Sequence, residues 1–172
     1  MTGSPMAREM EHIANVTLDE RSIVHWSPAV AHERKVAIFD LLEANHFAPK
    51  GLAAGPYDLH LSIAEGRLLF DIVSAEKGKG ATGEGEAKTC IALSVRGFRK
   101  LIQDYFTVCD SYYAAIKKSA TASQIEAIDM GRRGLHDEGA ELLRERLADK
   151  IGLDENTARR LFTLVCVLHL RA

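Results

Sequence analysis

The fold is indicated most clearly by the stretch YDLHLSIAEGRLLFDIVSA, residues 57–75. Apolar residues recur at every second position on both sides of the triplet Ala64-Glu65-Gly66, a spacing typical of strands with one buried face. The triplet itself has the composition of a hairpin turn. A third stretch with β-forming residues, KTCIALS at residues 88–94, follows a glycine-rich segment. The sequence therefore predicts a three-strand antiparallel meander over residues 57–94.

Before the meander, the sequence pattern predicts one strand followed by one helix. HIANVTLD at residues 12–19 is rich in β-formers, with Val16 and Leu18 on one face. HWSPAVAHERKVAIFDLLEANHF at residues 25–47 contains a helix start, because Ser27 suits the N-cap and Pro28 the first helical position. The Pro/Gly-rich connector APKGLAAGP then ends the helix.

After the meander, the spacing of apolar residues predicts three helices and no further strand. Ser94 caps the first, the pattern Thr121-Ala122-Ser123-Gln124 is a capping box for the second, and Asp154 caps the third. Residues 161–170 are apolar on nearly all faces, which places the last helix in the centre of the core. The predicted fold is α+β: a small mostly antiparallel sheet, made of the N-terminal strand and the meander, packs in two layers against about four helices. We predict a disordered tail at residues 1–10, one domain over residues 11–172 and a flexible loop at residues 76–87.

Composition and motifs exclude several classes of function. With 172 residues and a net charge of −2, the chain suits one domain without general attraction to nucleic acid, and no apolar segment suits membrane insertion. The N-terminus does not resemble an export signal, and the cysteines Cys90, Cys109 and Cys166 lie singly in apolar segments, as in reduced, buried thiols of a cytoplasmic protein. Metal-ligand spacings, phosphate-binding loops and nucleophile elbows do not occur, so no metal, cofactor or catalytic residue is predicted.

The stretch MGRRGLHDEGAEL, residues 130–142, allows two interpretations because it contains three glycines. It is either a loop that holds a chemical site or a helix whose glycines serve packing. The apolar three-and-four spacing continues through the stretch without a change of phase, which predicts one helix over residues 122 to about 150. Gly131 and Gly139 fall on or beside the apolar stripe, where they would let another helix approach closely.

The two arginines in this stretch are predicted to differ. Arg133 suits a solvated ladder with Asp129 and Asp137 at helical spacing. Arg132 falls on the inward side, where a half-buried guanidinium needs an acidic partner. The preceding helix offers Asp104 or Asp110 for a structural ion pair, and contact with a ligand or partner is the alternative.

A histidine beside two acids in the same stretch suggests proton-transfer chemistry, because a carboxylate can orient an imidazole. His136 is followed directly by Asp137 and Glu138. Adjacent helical residues point about 100° apart, so these three side chains cannot converge unless other groups take part.

Several segments together resemble an uncharacterised family of small alphaproteobacterial proteins, number 0262 of the UPF series. They include HERKVAIFDLLE, GPYDLHLSIAEGRLLFDI, SYYAAI and TARRLFTLVCVLH, and IEAIDMGRRGLH at residues 125–136 is the most specific. The resemblance covers about residues 12–171, outside the tail and the glycine-rich loop. It carries over no enzymatic activity, cofactor or catalytic residue. It implies a relationship to a proposed inhibitor of assembly of the MreB-type bacterial actin, and hence an effect on cell shape.

Two hypotheses of different kinds follow. The first is a non-enzymatic cytoplasmic regulatory protein that binds a protein partner, such as a bacterial actin, through a surface formed by Arg132, Arg133, His136 and Asp137. The second is a small enzyme that uses His136 with Asp137 or Glu138, and Arg132 or Arg133 as an anion clamp. A concave pocket where ionisable groups converge favours the enzyme, whereas an exposed apolar patch favours the partner surface.

Overall fold

The computed structural model describes residues 10–20, 28–75 and 85–169, and it confirms the predicted α+β class. The predicted N-cap Ser27, nearly all of the predicted tail and most of the predicted loop at residues 76–87 lie outside the described residues. In chain order the elements are β1 (Ile13–Leu18), α1 (Pro28–Glu43), β2 (Phe47–Pro49), β3 (Tyr57–Ala64), β4 (Arg67–Ser74), β5 (Lys88–Ser94), a 3-10 turn (Val95–Phe98), α2 (Arg99–Lys117), α3 (Ala122–Leu147), β6 (Ile151–Leu153) and α4 (Glu155–His169).

The main sheet has the strand order β1-β3-β4-β5, and its last three strands form the predicted antiparallel meander. β1 joins the edge of β3 in parallel, with α1 in the connection between them. Leu61, Phe70 and Ile91 lie opposite one another across the meander and are all buried. Alternation in the sequence therefore identified the face that the helices cover.

A second, two-stranded sheet joins β2 to β6 in antiparallel register, with Ala48 opposite Gly152. The sequence did not predict it, because three-residue strands are too short to show a period. β2 follows the end of α1 and β6 precedes the start of α4. The small sheet therefore joins the two helices that form most of the candidate site.

The helical layer confirms the predicted starts of α3 and α4 and the central position of the last helix. Residues 161–168 are all buried, and α4 packs against α1, α2, α3 and β3. The Thr121 capping box is present, Ser94 caps the 3-10 turn that leads into α2, and the Asp154 carboxylate accepts the N–H of Thr157 at 2.9 Å.

The α3 helix runs unbroken through residues 130–142, as predicted. A Cβ atom on Gly139 would lie 2.5 Å from ring atoms of Phe162, so this glycine does allow α4 to approach. A Cβ on Gly131 or Gly134 would have no neighbour within 4 Å. The predicted packing role is thus confirmed for Gly139 and wrong for Gly131, which faces outward.

The predicted burial of the thiols is also correct only in part. Cys109 and Cys166 are buried, whereas Cys90 is exposed. Cys90 alternates with the buried Ile91 on β5, so its side chain belongs to the opposite face of the sheet. Within the described part of the chain, no helix is both long and apolar enough to cross a membrane.

Candidate functional site

A concave pocket of about 260 Å³ opens between α1, α3 and α4. Its lining residues recur three or four positions apart, so each helix contributes one face. They are Glu33, Val36, Ala37 and Asp40 from α1, Arg132 and His136 from α3, and Asn156, Arg159, Arg160 and Thr163 from α4.

The pocket contains a buried carboxylate, Glu33, that is held by several hydrogen bonds. Arg132 Nη1 donates to Glu33 Oε1 at 2.7 Å, and the hydroxyl of Tyr105 donates to Oε2 at 2.8 Å. A longer hydrogen bond of 3.4 Å comes from the hydroxyl of Tyr113. Burial, followed by the charge of Glu33, raises the pKa of Tyr105, so its hydroxyl remains a donor. Both carboxylate oxygens of Glu33 are therefore occupied from within the protein.

Arg132 lies inward, as predicted, with a side chain 22% exposed against 55% for Arg133. Its second carboxylate partner is Asp129, at 2.6 Å, and its guanidinium carbon lies 4.7 Å from the centre of the Tyr112 ring. Burial opposes the charge of Arg132, but Asp129 and Glu33 outweigh it and raise the pKa.

The predicted partners of Arg132 on α2, Asp104 and Asp110, are wrong. Both are exposed, whereas α2 turns Tyr112 towards the guanidinium and Tyr105 towards Glu33. The acid that meets Arg132 comes instead from α1, 99 positions away in the sequence. Helical spacing identified the correct face of α3, but it could not identify the element packed against that face.

His136 is half-buried beside Thr163, with 3.1 Å between its Nε2 and the Thr163 hydroxyl. Its ring centre lies 5.0 Å from that of Tyr105. Burial lowers the pKa of His136 to about 4; the negative charge of Glu33 opposes this shift, and the positive charges of Arg132 and Arg159 add to it. The imidazole is consequently neutral at physiological pH.

This low pKa predicts acid sensitivity of the fold. The unfolded chain takes up a proton near the ordinary value of 6.5, whereas the folded chain resists protonation until about 4, so stability falls as pH drops through this window. His136→Gln keeps a hydrogen-bond donor near Thr163 but cannot titrate. Between pH 7 and pH 5.5 we expect the wild type to lose about 1 kcal/mol more unfolding free energy than the variant, measured by chemical denaturation. Equal losses in both proteins would contradict a depressed pKa.

The other sequence-predicted residues lie beside the pocket rather than in it. Asp137 pairs with Arg159 at 2.7 Å, and Arg133 pairs with Asp129 at 3.3 Å. Glu138 is exposed. The structure therefore brings Arg132 and His136 together but does not bring Asp137 or Glu138 to the imidazole.

Sequence reasoning missed the contributions of α1 and α4. Glu33 and Asp40 are ordinary charged residues at helical spacing, and nothing local marks them. Arg159 and Arg160 gave a usable signal, because two adjacent arginines lie within α4, directly before its apolar run at residues 161–168. Among the described residues, no group of three or more histidine, cysteine, aspartate or glutamate side chains is arranged to hold a metal ion.

The chain matches known proteins over nearly its whole length. The model of the Uncharacterised protein family (UPF0262) matches residues 10–171. A UPF0262 protein of Rhodospirillum rubrum is 54% identical over 164 residues, which cover 95% of this chain and 96% of the relative. One from Xanthobacter autotrophicus is 53% identical over 170 residues and 98% of each chain, and one from Paramagnetospirillum magneticum is 50% identical over 161 residues, 94% of this chain and 97% of the relative. No solved structure shows significant similarity.

Proposed function

The chain belongs to the uncharacterised protein family UPF0262, and we propose that it is a non-enzymatic cytoplasmic interaction protein. Its binding surface would be the pocket face, which we define as the outer surface of α1, α3 and α4 around the pocket. The pocket face includes two of the sequence-predicted surface residues, Arg133 and Asp137, at its margin on α3. The other two, Arg132 and His136, lie in the pocket itself.

The proposal rests on one observation, an exposed apolar strip along α1. Val36, Phe39 and Leu42 follow one another at intervals of three residues, with 41%, 66% and 40% of their surface exposed. Val36 also lines the pocket, so the strip borders it directly. Adjacent exposed apolar residues, unlike scattered ones, are characteristic of surfaces that bind another molecule.

Charges of both signs lie beside the strip. Arg160 and Asp40 line the pocket, and the ion pair between Arg159 and Asp137 lies at its edge. Charges at the rim of an interface mainly set the association rate and the choice of partner, while apolar residues at its centre supply most of the affinity. The pocket face has this arrangement.

The alternative, a small enzyme, is favoured by the convergence of ionisable groups in the pocket. The hydrogen bonds and protonation states of the pocket residues support a binding role instead. Glu33 is fully engaged with Arg132, Tyr105 and Tyr113, and His136 has a pKa of about 4, whereas an efficient general base titrates near the working pH. The anion clamp proposed with Arg133 would also need Arg133 to leave Asp129.

We take the partner to be a bacterial actin of the MreB type, whose assembly the protein would inhibit. This choice follows from the family resemblance and not from the geometry. It makes the proposal testable with a single purified partner.

Phe39→Ser is expected to weaken binding to the purified actin homologue about tenfold or more, since central aromatic residues dominate binding energies. Co-sedimentation with the assembled actin, and cell width during overproduction, would measure the effect. Unfolding free energy should change by less than about 0.5 kcal/mol, because the side chain is exposed.

Ile116→Ser on α2 is the matched control, because Ile116 is an exposed apolar residue, 48% accessible, that does not line the pocket. It should bind like the wild type. Equal loss in both variants would show that the strip is not the binding surface. Wild-type protein that neither binds the actin nor alters cell width would overturn the choice of partner.

A further inference from the structure

Two charges of opposite sign line the same cavity without an ion-pair partner among the described residues. Asp40 on α1 and Arg160 on α4 are both half-buried, and both line the pocket. Within residues 10–20, 28–75 and 85–169, neither side chain forms an ion pair or a hydrogen bond. Both charges are partly removed from water, so each would gain from a partner of opposite charge.

The remaining charges of the pocket do not serve as partners for these two. Glu33 is joined to Arg132 at 2.7 Å, and Arg159 is joined to Asp137 at 2.7 Å. Asp40 and Arg160 belong to different walls, and their charged groups do not come within 4.0 Å of each other. As far as the structure describes the chain, the cavity thus presents one free carboxylate and one free guanidinium.

We propose that the pocket binds a small zwitterion of the amino-acid class, with its ammonium group at Asp40 and its carboxylate at Arg160. Such a ligand supplies the missing partner to both charges at once. An inorganic anion would bring negative charge towards Asp40, and a simple cation would bring positive charge towards Arg160. Charge complementarity therefore favours a ligand that carries both.

The size and the other lining groups suit this ligand. A cavity of about 260 Å³ lies below the range of roughly 300–1,000 Å³ that is common for drug-sized ligands. Val36 and Ala37 provide an apolar surface for an aliphatic side chain, and the amide of Asn156 can hydrogen-bond to the ligand carboxylate. This inference goes beyond the proposed partner surface, and its test needs only the purified protein.

The test is a nuclear magnetic resonance titration of the whole chain with each standard L-amino acid at millimolar concentration. At least one should shift the signals of Ala37, His136 and Thr163 in a saturable manner. Its N-acetyl derivative and its carboxamide should each bind about tenfold more weakly or worse, since each loses one charge-assisted hydrogen bond. Inorganic phosphate, titrated separately, should not saturate these signals.

Variants then test the two charges. Asp40→Asn and Arg160→Gln should each weaken binding of the same amino acid about tenfold or more, whereas the exposed-site controls Glu43→Gln and Arg144→Gln should bind like the wild type. Circular dichroism should show all four folded, because none of these side chains has a hydrogen-bond or ion-pair partner in the described part of the chain. The inference is overturned if no amino acid binds, if phosphate binds in place of amino acids, or if binding does not depend on Asp40 and Arg160. None of these outcomes bears on whether Phe39 binds a protein partner.

Discussion

Replacing Arg132 with alanine is expected to lower the free energy of unfolding by about 3 kcal/mol or more. The substitution leaves Glu33 buried without its cation, and removal of one member of a buried ion pair strands the other. It also removes the contact with the Tyr112 ring. Typical domains are stable by only 5–15 kcal/mol, roughly, so chemical denaturation should show the change as a large shift of the midpoint.

Two further variants separate this cause from a general effect of losing an arginine. Arg133→Ala should change stability by less than about 0.5 kcal/mol, because its pair with Asp129 is more exposed. Glu33→Gln should recover part of the loss when combined with Arg132→Ala, since the stranded charge is then absent. Equal effects of the two arginine variants, or no recovery in the double variant, would show that the ion pair is not the source.

Gly139→Ala is expected to destabilise the fold by a net of about 2 kcal/mol, even though alanine favours helix by about 1 kcal/mol over glycine. The new methyl group would lie 2.5 Å from three ring atoms of Phe162, which is fully buried. Either the ring or the contact between α3 and α4 must shift, and overpacking of this kind has a substantial cost. Thermal and chemical denaturation would measure it.

Gly131→Ala and Gly134→Ala provide controls in the same helix. Space is open at both positions, so each should raise stability by roughly 0.5–1 kcal/mol through helix propensity alone. Combining Gly139→Ala with Phe162→Leu should reduce the clash, giving a loss smaller than the sum of the single changes. A stabilising Gly139→Ala would mean that α3 and α4 are less closely packed than the 2.5 Å approach requires.

Local patterns were sufficient for the longer elements and for the buried face of most of them, but not for the short strands β2 and β6 or for the position of Gly131. Alternation predicted the meander, and the uninterrupted three-and-four spacing predicted that α3 passes through Gly131, Gly134 and Gly139. The same spacing separated Arg132 from Arg133. Element type and buried face can be predicted from the sequence because they depend on residues within a few positions of one another.

Local patterns thus predict the α+β class, the helix through residues 130–142 and the inward direction of Arg132. The tertiary structure alone decided that Glu33 meets Arg132, that Gly139 and not Gly131 faces Phe162, and that Asp40 and Arg160 share one cavity. A helical period fixes which residues share a face, but it carries no information about which distant element covers that face. The contact between Glu33 and Arg132 joins residues 99 positions apart, and it exists only because α1, α3 and α4 pack together around the core.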